Sequence, residues 1–317
     1  MPSVQLFAYE IATDTEQKIN SILRQKGIDP DEMTQLQYFH QQANLQRDLI
    51  ARHVAPAIAN DVLPVFLAPE FFFKWRDGLP YDRATFFNAI DYLKSLSGAF
   101  PDVLWIIGTV WWCEPHDAVS VMVHNSALML QGGTVLHSWQ KERLSTIDGL
   151  RQGPEIWDRH DPAAGHILVR SQSPFFDARL PGGQQSLHCG IEICLDHLTL
   201  REAQPSAGVL RQHYLAAEPD PDRGAGVDLH VLTAAGMPLQ AENVVSRRGG
   251  VYLRCDGGRG ALRSQCLGID RDHGLSPARA LRQWVIIPDQ VQPQHIGNDP
   301  DNRLAIYPPV ALGPPGG

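Results

Sequence analysis

The chain has 317 residues, 43% apolar and 20% charged, which is enough for a large buried core and excludes global disorder. Its net charge is -8 and its densest basic spot is Arg247-Arg248, so it lacks the clustered cations that a nucleic-acid backbone requires. Five cysteines, at 113, 189, 194, 255 and 266, form no CxxC pair and no disulfide framework, and no apolar run is long enough to span a bilayer. With no N-terminal signal pattern, the expectation is a cytoplasmic protein with reduced thiols, no nucleic-acid partner and no membrane partner.

Strands and helices alternate along the chain. Val4–Tyr9 reads as a first buried strand, followed by helix-prone residues from Asp14 to Asn60 that break near Gly27-Ile28-Asp29-Pro30. Asp31 or Thr34 can cap the second of these helices. Val62–Ala68 is a short β-rich run ending at Pro69-Glu70, Ala84–Leu96 has helical spacing, and Val103–Val110 is a continuous apolar run typical of a buried strand. Val119–Leu130, Gly132-Gly133 and Thr134–Trp139 read as a hairpin, which makes the sheet mixed. Residues 148–185 read as a long surface excursion. Ser186–Ile193 comes next as a buried strand and Leu198–Leu215 as an interrupted helix. Asp228–Leu232 reads as a strand, Pro238–Arg247 as a helix opened by proline, and Val251–Cys255 as a strand. Trp284–Ile287 and Leu304–Tyr307 are weaker strand signals, and residues 311–317 read as a flexible tail after one domain spanning 1–310. Strands separated by helices predict an α/β layered fold.

Three residues carry chemistry. Cys194 closes the strand Leu187–Ile193 at a strand-to-helix turn, which presents a side chain at a sheet edge with the next backbone N–H facing the same reacting atom. A helix N-terminus there lowers a thiol pKa. Glu70 ends a buried strand inside Pro69-Glu70-Phe71-Phe72-Phe73, where apolar walls raise a carboxyl pKa towards a usable base. Lys141 comes after the hairpin in Gln140-Lys141-Glu142-Arg143, a pattern that alone fits a solvated charge cluster better and gains weight only beside the other two residues.

Taken in order, these residues and their surroundings resemble the carbon–nitrogen hydrolase (nitrilase-like) superfamily, in its amidase-type branch. The resemblance lies in Ala68-Pro69-Glu70, in His124-Asn125-Ser126-Ala127-Leu128 leading through Gly132-Gly133 to Lys141, in Gly190-Ile191-Glu192-Ile193-Cys194-Leu195-Asp196, in Gln240-Ala241-Glu242-Asn243, and in Val251–Asp256 with Gly257-Gly258. It covers roughly residues 3 to 260. It implies a four-layer α-β-β-α sandwich with two mixed sheets, and a catalytic set in which Glu70 is the base, Cys194 the nucleophile and Lys141 the oxyanion partner, helped by the backbone N–H of Leu195. It implies a second glutamate shortly after the lysine. Glu142 adjoins Lys141 and would point to the opposite face, so Glu155 on its loop is the better candidate. Phe71, Leu195, Asp196, His197 and Ala235 are expected to meet the substrate.

The implied reaction is hydrolysis of a small linear amide or carbamoyl compound through a thioester, with no metal or organic cofactor and a homo-oligomer, dimer or larger, as the assembly. The Cys-Leu-Asp order favours amides over nitriles. Glu192 stands where the family usually has an apolar residue, and a similar Glu-Ile-Cys run occurs in the glutaminase domain of glutamine-dependent NAD synthetases. Nitrile hydrolysis, acyl transfer to an amine, and a non-catalytic scaffold keeping the fold are the alternatives. His188, His197 and His230 raise a Cys–His protease or a metal site, but no HxxxH-type spacing supports it. Gly257-Gly258-Arg259-Gly260 lacks the Lys-Ser/Thr of a phosphate loop.

Overall fold

A computed structural model describes residues 1–13, 17–115, 121–145, 148, 156–158, 173–183, 185–199, 207–217, 226–258, 263–269 and 292–313. In chain order its elements are β1 (Ser3–Ile11), α1 (Gln17–Gln25), α2 (Gln35–Leu49), β2 (Val62–Leu67), β3 (Tyr81–Asp82), α3 (Arg83–Gly98), β4 (Leu104–Pro115), β5 (Val121–Gln131), β6 (Thr134–Gln140), β7 (Arg143–Ser145), β8 (Ile156–Asp158) and β9 (Phe175–Arg179). The remaining elements are β10 (Ser186–Ile193), α4 (Val209–Ala217), β11 (Val227–Ala234), β12 (Ser246–Asp256), β13 (Ser264–Gly268), β14 (Gln294–Asp299), β15 (Asn302–Ile306) and β16 (Val310–Ala311).

The fold is α/β, with few helices and two mixed sheets. The larger sheet runs β14-β15-β1-β2-β4-β5-β6, with β16 beside β1 and β3 beside β4, and the smaller runs β13-β12-β11-β10-β9. In each, a parallel centre (β1-β2-β4 and β10-β11-β12) is flanked by antiparallel strands. Strand alternation sorts the apolar side chains. Val4, Leu6 and Ala8 of β1 join Ile191, Ile193, Leu229 and Val231 of the smaller sheet in one core, so the two sheets pack on each other there. Phe7, Tyr9 and Ile11 of the same strand instead join Ile19 and Leu23 of α1, Phe39 and Ala43 of α2 and Phe86 and Leu93 of α3. Leu210 and Tyr214 of α4 pack with Val227 of β11 and with Val245, just before β12. Gly190 permits the close approach of α4, since a Cβ there would press on the Leu210 side chain. Among the described residues, no helix is long and apolar enough to cross a membrane.

Several sequence expectations are corrected. Of the two caps considered, Thr34 starts α2, through a capping box with Gln37. Pro238–Arg247 forms no helix. It holds one 3-10 turn, Ala241–Asn243, and β12 already begins at Ser246. The Asn243 amide is committed to the carbonyl of His197, the hydroxyl of Thr199 and the Gln240 side chain, and its oxygen accepts from Gly208 N–H, so these residues act as a tie between loops. Of the interrupted helix expected over Leu198–Leu215, Leu198 and Thr199 are not helical, residues 200–206 lie outside the described residues, and α4 runs from Val209 to Ala217. Val310 and Ala311 pair with Val4 and Ser3, Leu312 is buried, and Gly313 N–H bonds the Gly249 carbonyl, so the chain is tied down as far as Gly313. The strand signal at 284–287 lies outside the described residues.

One irregularity places the site. The β4–β5 register shifts between Ile106 and Thr109, and Gly108 within the shift has φ of +84°. A Cβ at Gly108 would overlap the carbonyl oxygen of Pro69, so only glycine lets the turn after β2 lie against β4. Gly108→Ala should therefore lower the free energy of unfolding by more than about 1 kcal/mol. A urea-unfolding midpoint unchanged from wild type would contradict that account.

Candidate active site

Glu70 lies just past β2 and is held by both sheets. Its own N–H donates to the Ala234 carbonyl at 3.3 Å, and its carbonyl accepts from the Thr13 hydroxyl at 2.7 Å. The next residues are stitched into the β4 irregularity. Phe71 N–H donates to the Thr109 hydroxyl at 2.8 Å, and Phe73 N–H to the Thr109 carbonyl at 3.0 Å. Phe71 is forced to a φ of +58°, a left-handed conformation that costs on the order of 1 kcal/mol or more for a bulky residue. The Glu70 carboxylate is thereby fixed in the interior with no solvent exposure.

Lys141 comes directly after β6, and its N–H closes onto the Asn125 carbonyl across the hairpin at 2.9 Å. Its ammonium is buried too and donates to Glu70 Oε1 at 2.7 Å and to Asp148 Oδ2 at 2.9 Å. The Asn125 amide donates to the same two carboxylates, at 2.8 Å and 2.9 Å. Glu70 Oε2 has no hydrogen-bond partner among the described residues. The Cys194 thiol lies beside that carboxylate and interacts with both it and Lys141.

Cys194 comes directly after β10 on a sharp elbow, with φ of +47° and a largely buried side chain. The elbow is fastened on two sides. On one, Asp196 Oδ1 accepts from the N–H groups of Glu142 at 3.1 Å and Arg143 at 2.9 Å, the two residues after Lys141, and Oδ2 accepts from Trp139 Nε1 at 3.3 Å. On the other, His197 Nε2 accepts from Gln240 N–H at 3.0 Å, which leaves Nδ1 protonated to donate to Glu192 Oε2 at 2.6 Å. His230 Nδ1 likewise accepts from Val245 N–H at 3.2 Å, so its Nε2–H donates to the same Glu192 oxygen at 3.1 Å. Glu192 Oε1 accepts from Leu210 N–H in the first turn of α4 at 2.7 Å.

Burial and charge together set the electrostatics. Burial raises the Glu70 pKa, and the Asp148 charge adds to that while Lys141 opposes it. Burial alone would lower the Lys141 pKa, but Asp148 and Glu70 outweigh it and hold the ammonium well above its ordinary value. The Cys194 thiol is pushed well up by burial and then by the Glu70 charge, despite Lys141 and an N–H from Ala235. This overturns the expectation of a thiol acidified by a helix N-terminus. Cys194 opens a four-residue 3-10 turn, too short for a helix field, so the thiol depends on a base to ionise it.

The structure thus brings Glu70, Lys141 and Cys194 together, with the Ala235 backbone beside the sulfur and the Phe71 ring 5.6 Å from Lys141 Nζ. Leu195 is half-buried on the elbow. Asp196 and His197, expected beside the substrate, serve the elbow itself. Both are fully buried, and their polar atoms are bonded to protein groups that hold the elbow. Glu142 bonds His213 at 2.8 Å. Glu155 lies outside the described residues. The carboxylate found on Lys141 is Asp148, which sequence pattern assigns to a surface excursion and which is fully buried. An acid seven residues past the lysine is visible in the sequence, but an expectation of glutamate passes over an aspartate. Glu192, His197 and His230 bring three potential metal-ligand atoms within 4.8 Å of one another. Their tautomers direct both imidazole N–H groups at the carboxylate, so the cluster is a closed hydrogen-bond network with no imidazole lone pair turned towards a cation.

The two imidazole donors overcome burial and hold the Glu192 pKa at about 2, against 4.5 unperturbed. A depressed folded-state pKa stabilises the fold above 4.5, on the order of 3 kcal/mol here, and that contribution is lost as pH falls towards about 2. Glu192→Gln should therefore be less stable than wild type near neutral pH, with the difference shrinking through that acid window. Denaturant titrations at several pH values check this, and a difference independent of pH would contradict it.

No family model and no curated protein matches the chain. Among solved structures it is similar to a glutamine-dependent NAD+ synthetase from Acinetobacter baumannii in complex with ADP, at 14% identity over 76% of this chain and 34% of that one, with a TM-score of 0.35. It is also similar to an N-terminal amidase with an Asn-Glu-Ala peptide, at 15% identity over 74% of this chain and 48% of that one, with a TM-score of 0.34. The chain spans less than half the length of each of these two. Likeness this slight carries no weight for activity or substrate, and the chemistry rests on the site.

Proposed function

We propose that this chain is an amidase-type carbon–nitrogen hydrolase that cleaves small linear amides or carbamoyl compounds through a thioester on Cys194. The observation that carries the reading is the buried contact of Glu70 Oε1 with Lys141 Nζ at 2.7 Å, beside a cysteine on a strained elbow. On this reading the packing order of helices, larger sheet, smaller sheet and α4 is the superfamily's four-layer sandwich. Asp148 takes the place expected for the second glutamate.

The buried carboxylate, its pKa raised, takes the thiol proton as Sγ attacks the carbonyl carbon. The Lys141 ammonium, held by Glu70 and by both oxygens of Asp148, joins the Leu195 N–H in facing the oxygen on which charge develops. The protonated Glu70 passes its proton to the departing nitrogen as the C–N bond breaks, which leaves the thioester. Water then enters, gives a proton to Glu70 and adds to the thioester carbon. The tetrahedral species collapses to the acid as Glu70 returns the proton to sulfur. Each proton taken is given back, so one turnover consumes one amide and one water and yields the acid and the amine or ammonia.

Ammonia release from a panel of short amides tests the reading. Cys194→Ala should lower kcat/KM by at least about a thousandfold, and Glu70→Gln by at least about a hundredfold, with the far-UV spectrum of each variant unchanged. Wild-type-like turnover by Cys194→Ala would eliminate the assignment.

A further inference from the structure

Four tryptophans are buried among the described residues, and three of them place the indole N–H on a partner. Trp105 donates to Gln46 Oε1 at 2.6 Å, Trp112 to the Ser126 hydroxyl at 3.0 Å, and Trp139 to Asp196 at 3.3 Å. Trp111 is 9% exposed, and its Nε1 has no partner among the described residues. A buried, unsatisfied N–H destabilises the fold, because it has lost water and gained no partner. Such a group is where a ligand oxygen gains most, because the donor is already desolvated.

Its position ties it to the site. On β4, Trp111 pairs directly with Asn125 of β5, so the two side chains project from the same face of the sheet. Asn125 is the residue that bonds Glu70 and Asp148 on that face. The Trp111 ring stands edge-on to the ring of Phe71, with centroids 6.2 Å apart and planes at 83°, and Phe71 in turn lies 5.6 Å from Lys141 Nζ. The neighbouring Trp112 faces the other way, stacked on Phe86 of α3.

We infer that Trp111 is a specificity-determining residue, whose indole N–H receives an uncharged carbonyl-type oxygen carried on the acyl chain of the substrate, away from the bond that breaks. A neutral acceptor fits better than a carboxylate, because Lys141 is one cation already facing two carboxyl groups. The Phe71 and Trp111 rings supply apolar walls for the chain between the two carbonyls. The substrate would then be a linear amide bearing a second, uncharged oxo or amide group. The identity of that substrate rests on the hydrolase reading, but the acceptor subsite does not.

Labelling of Cys194 by straight-chain alkyl methanethiosulfonates, butyl through hexyl, each with and without a keto group, tests the subsite without requiring any amide turnover. Tryptic mass spectrometry isolates the Cys194 rate from that of the half-buried Cys113. In the wild type, at least one keto reagent should modify Cys194 about tenfold faster than its plain partner, and Trp111→Phe, which keeps an aromatic ring and loses the donor, should bring that ratio close to one. A wild type indifferent to the keto group at every chain length would overturn the inference, as would a preference that survives in a folded Trp111→Phe. If the preference behaves as stated while Cys194-dependent amide hydrolysis is absent, the hydrolase reading falls and the subsite stands.

Discussion

A lysine ammonium buried between two carboxylates is the constraint around which the interior is organised. Lys141, Glu70 and Asp148 are each at most 1% exposed, and three buried ionisable groups persist only if every one is paired. Removing the ammonium would leave two acids facing each other out of water, at a cost of about 3–5 kcal/mol. The Asn125 amide bridges the two acids and adds the donors that one ammonium cannot supply. The arrangement is poor as a source of stability, because hydrophobic groups of equal volume would serve as well or better. It makes sense as a preorganised field held beside a thiol.

That field is assembled from long-range pieces, and the backbone is strained where they meet. Phe71, next to the carboxylate, and Cys194, which bears the sulfur, both occupy the left-handed region without being glycine. Each is over-determined by its surroundings. The Glu70 turn hangs on Thr109, Thr13 and Ala234, and the Cys194 elbow hangs on Asp196 and on the imidazoles gathered by Glu192. Glu192 does for the elbow what Gly108 does for the turn. One fills a polar hole with matched donors, and the other removes a Cβ that would hold two segments apart.

Most of this could be read from the residues where local pattern and burial agree. Ser186–Ile193 reads as a strand and is one, and the Gly132-Gly133 hairpin forms with both glycines at positive φ. Glu70 was legible because a carboxylate among Pro69 and three phenylalanines has no other reason to be there. Lys141 was not legible alone, because its charged neighbours disguise an ammonium that the hairpin delivers inward. The helix expected around Asn243 fails for a physical reason. Most partners of Asn243 lie dozens of residues away, and tertiary hydrogen bonds overrode local propensity. Asp148 was in view and passed over for want of a glutamate, whereas the unpartnered indole of Trp111 could be found only once the strands were laid side by side.

The central claim is that Glu70 activates a thiol whose own pKa is too high for it to act alone, so that Cys194 is acylated. Intact-protein mass spectrometry after rapid acid quench during turnover of a hydrolysed amide tests this most directly. The account predicts a wild-type species heavier by the acyl group, mapping to Cys194 and absent from Glu70→Gln. An acyl adduct that forms equally without the Glu70 carboxylate, or that maps to another residue, would contradict it.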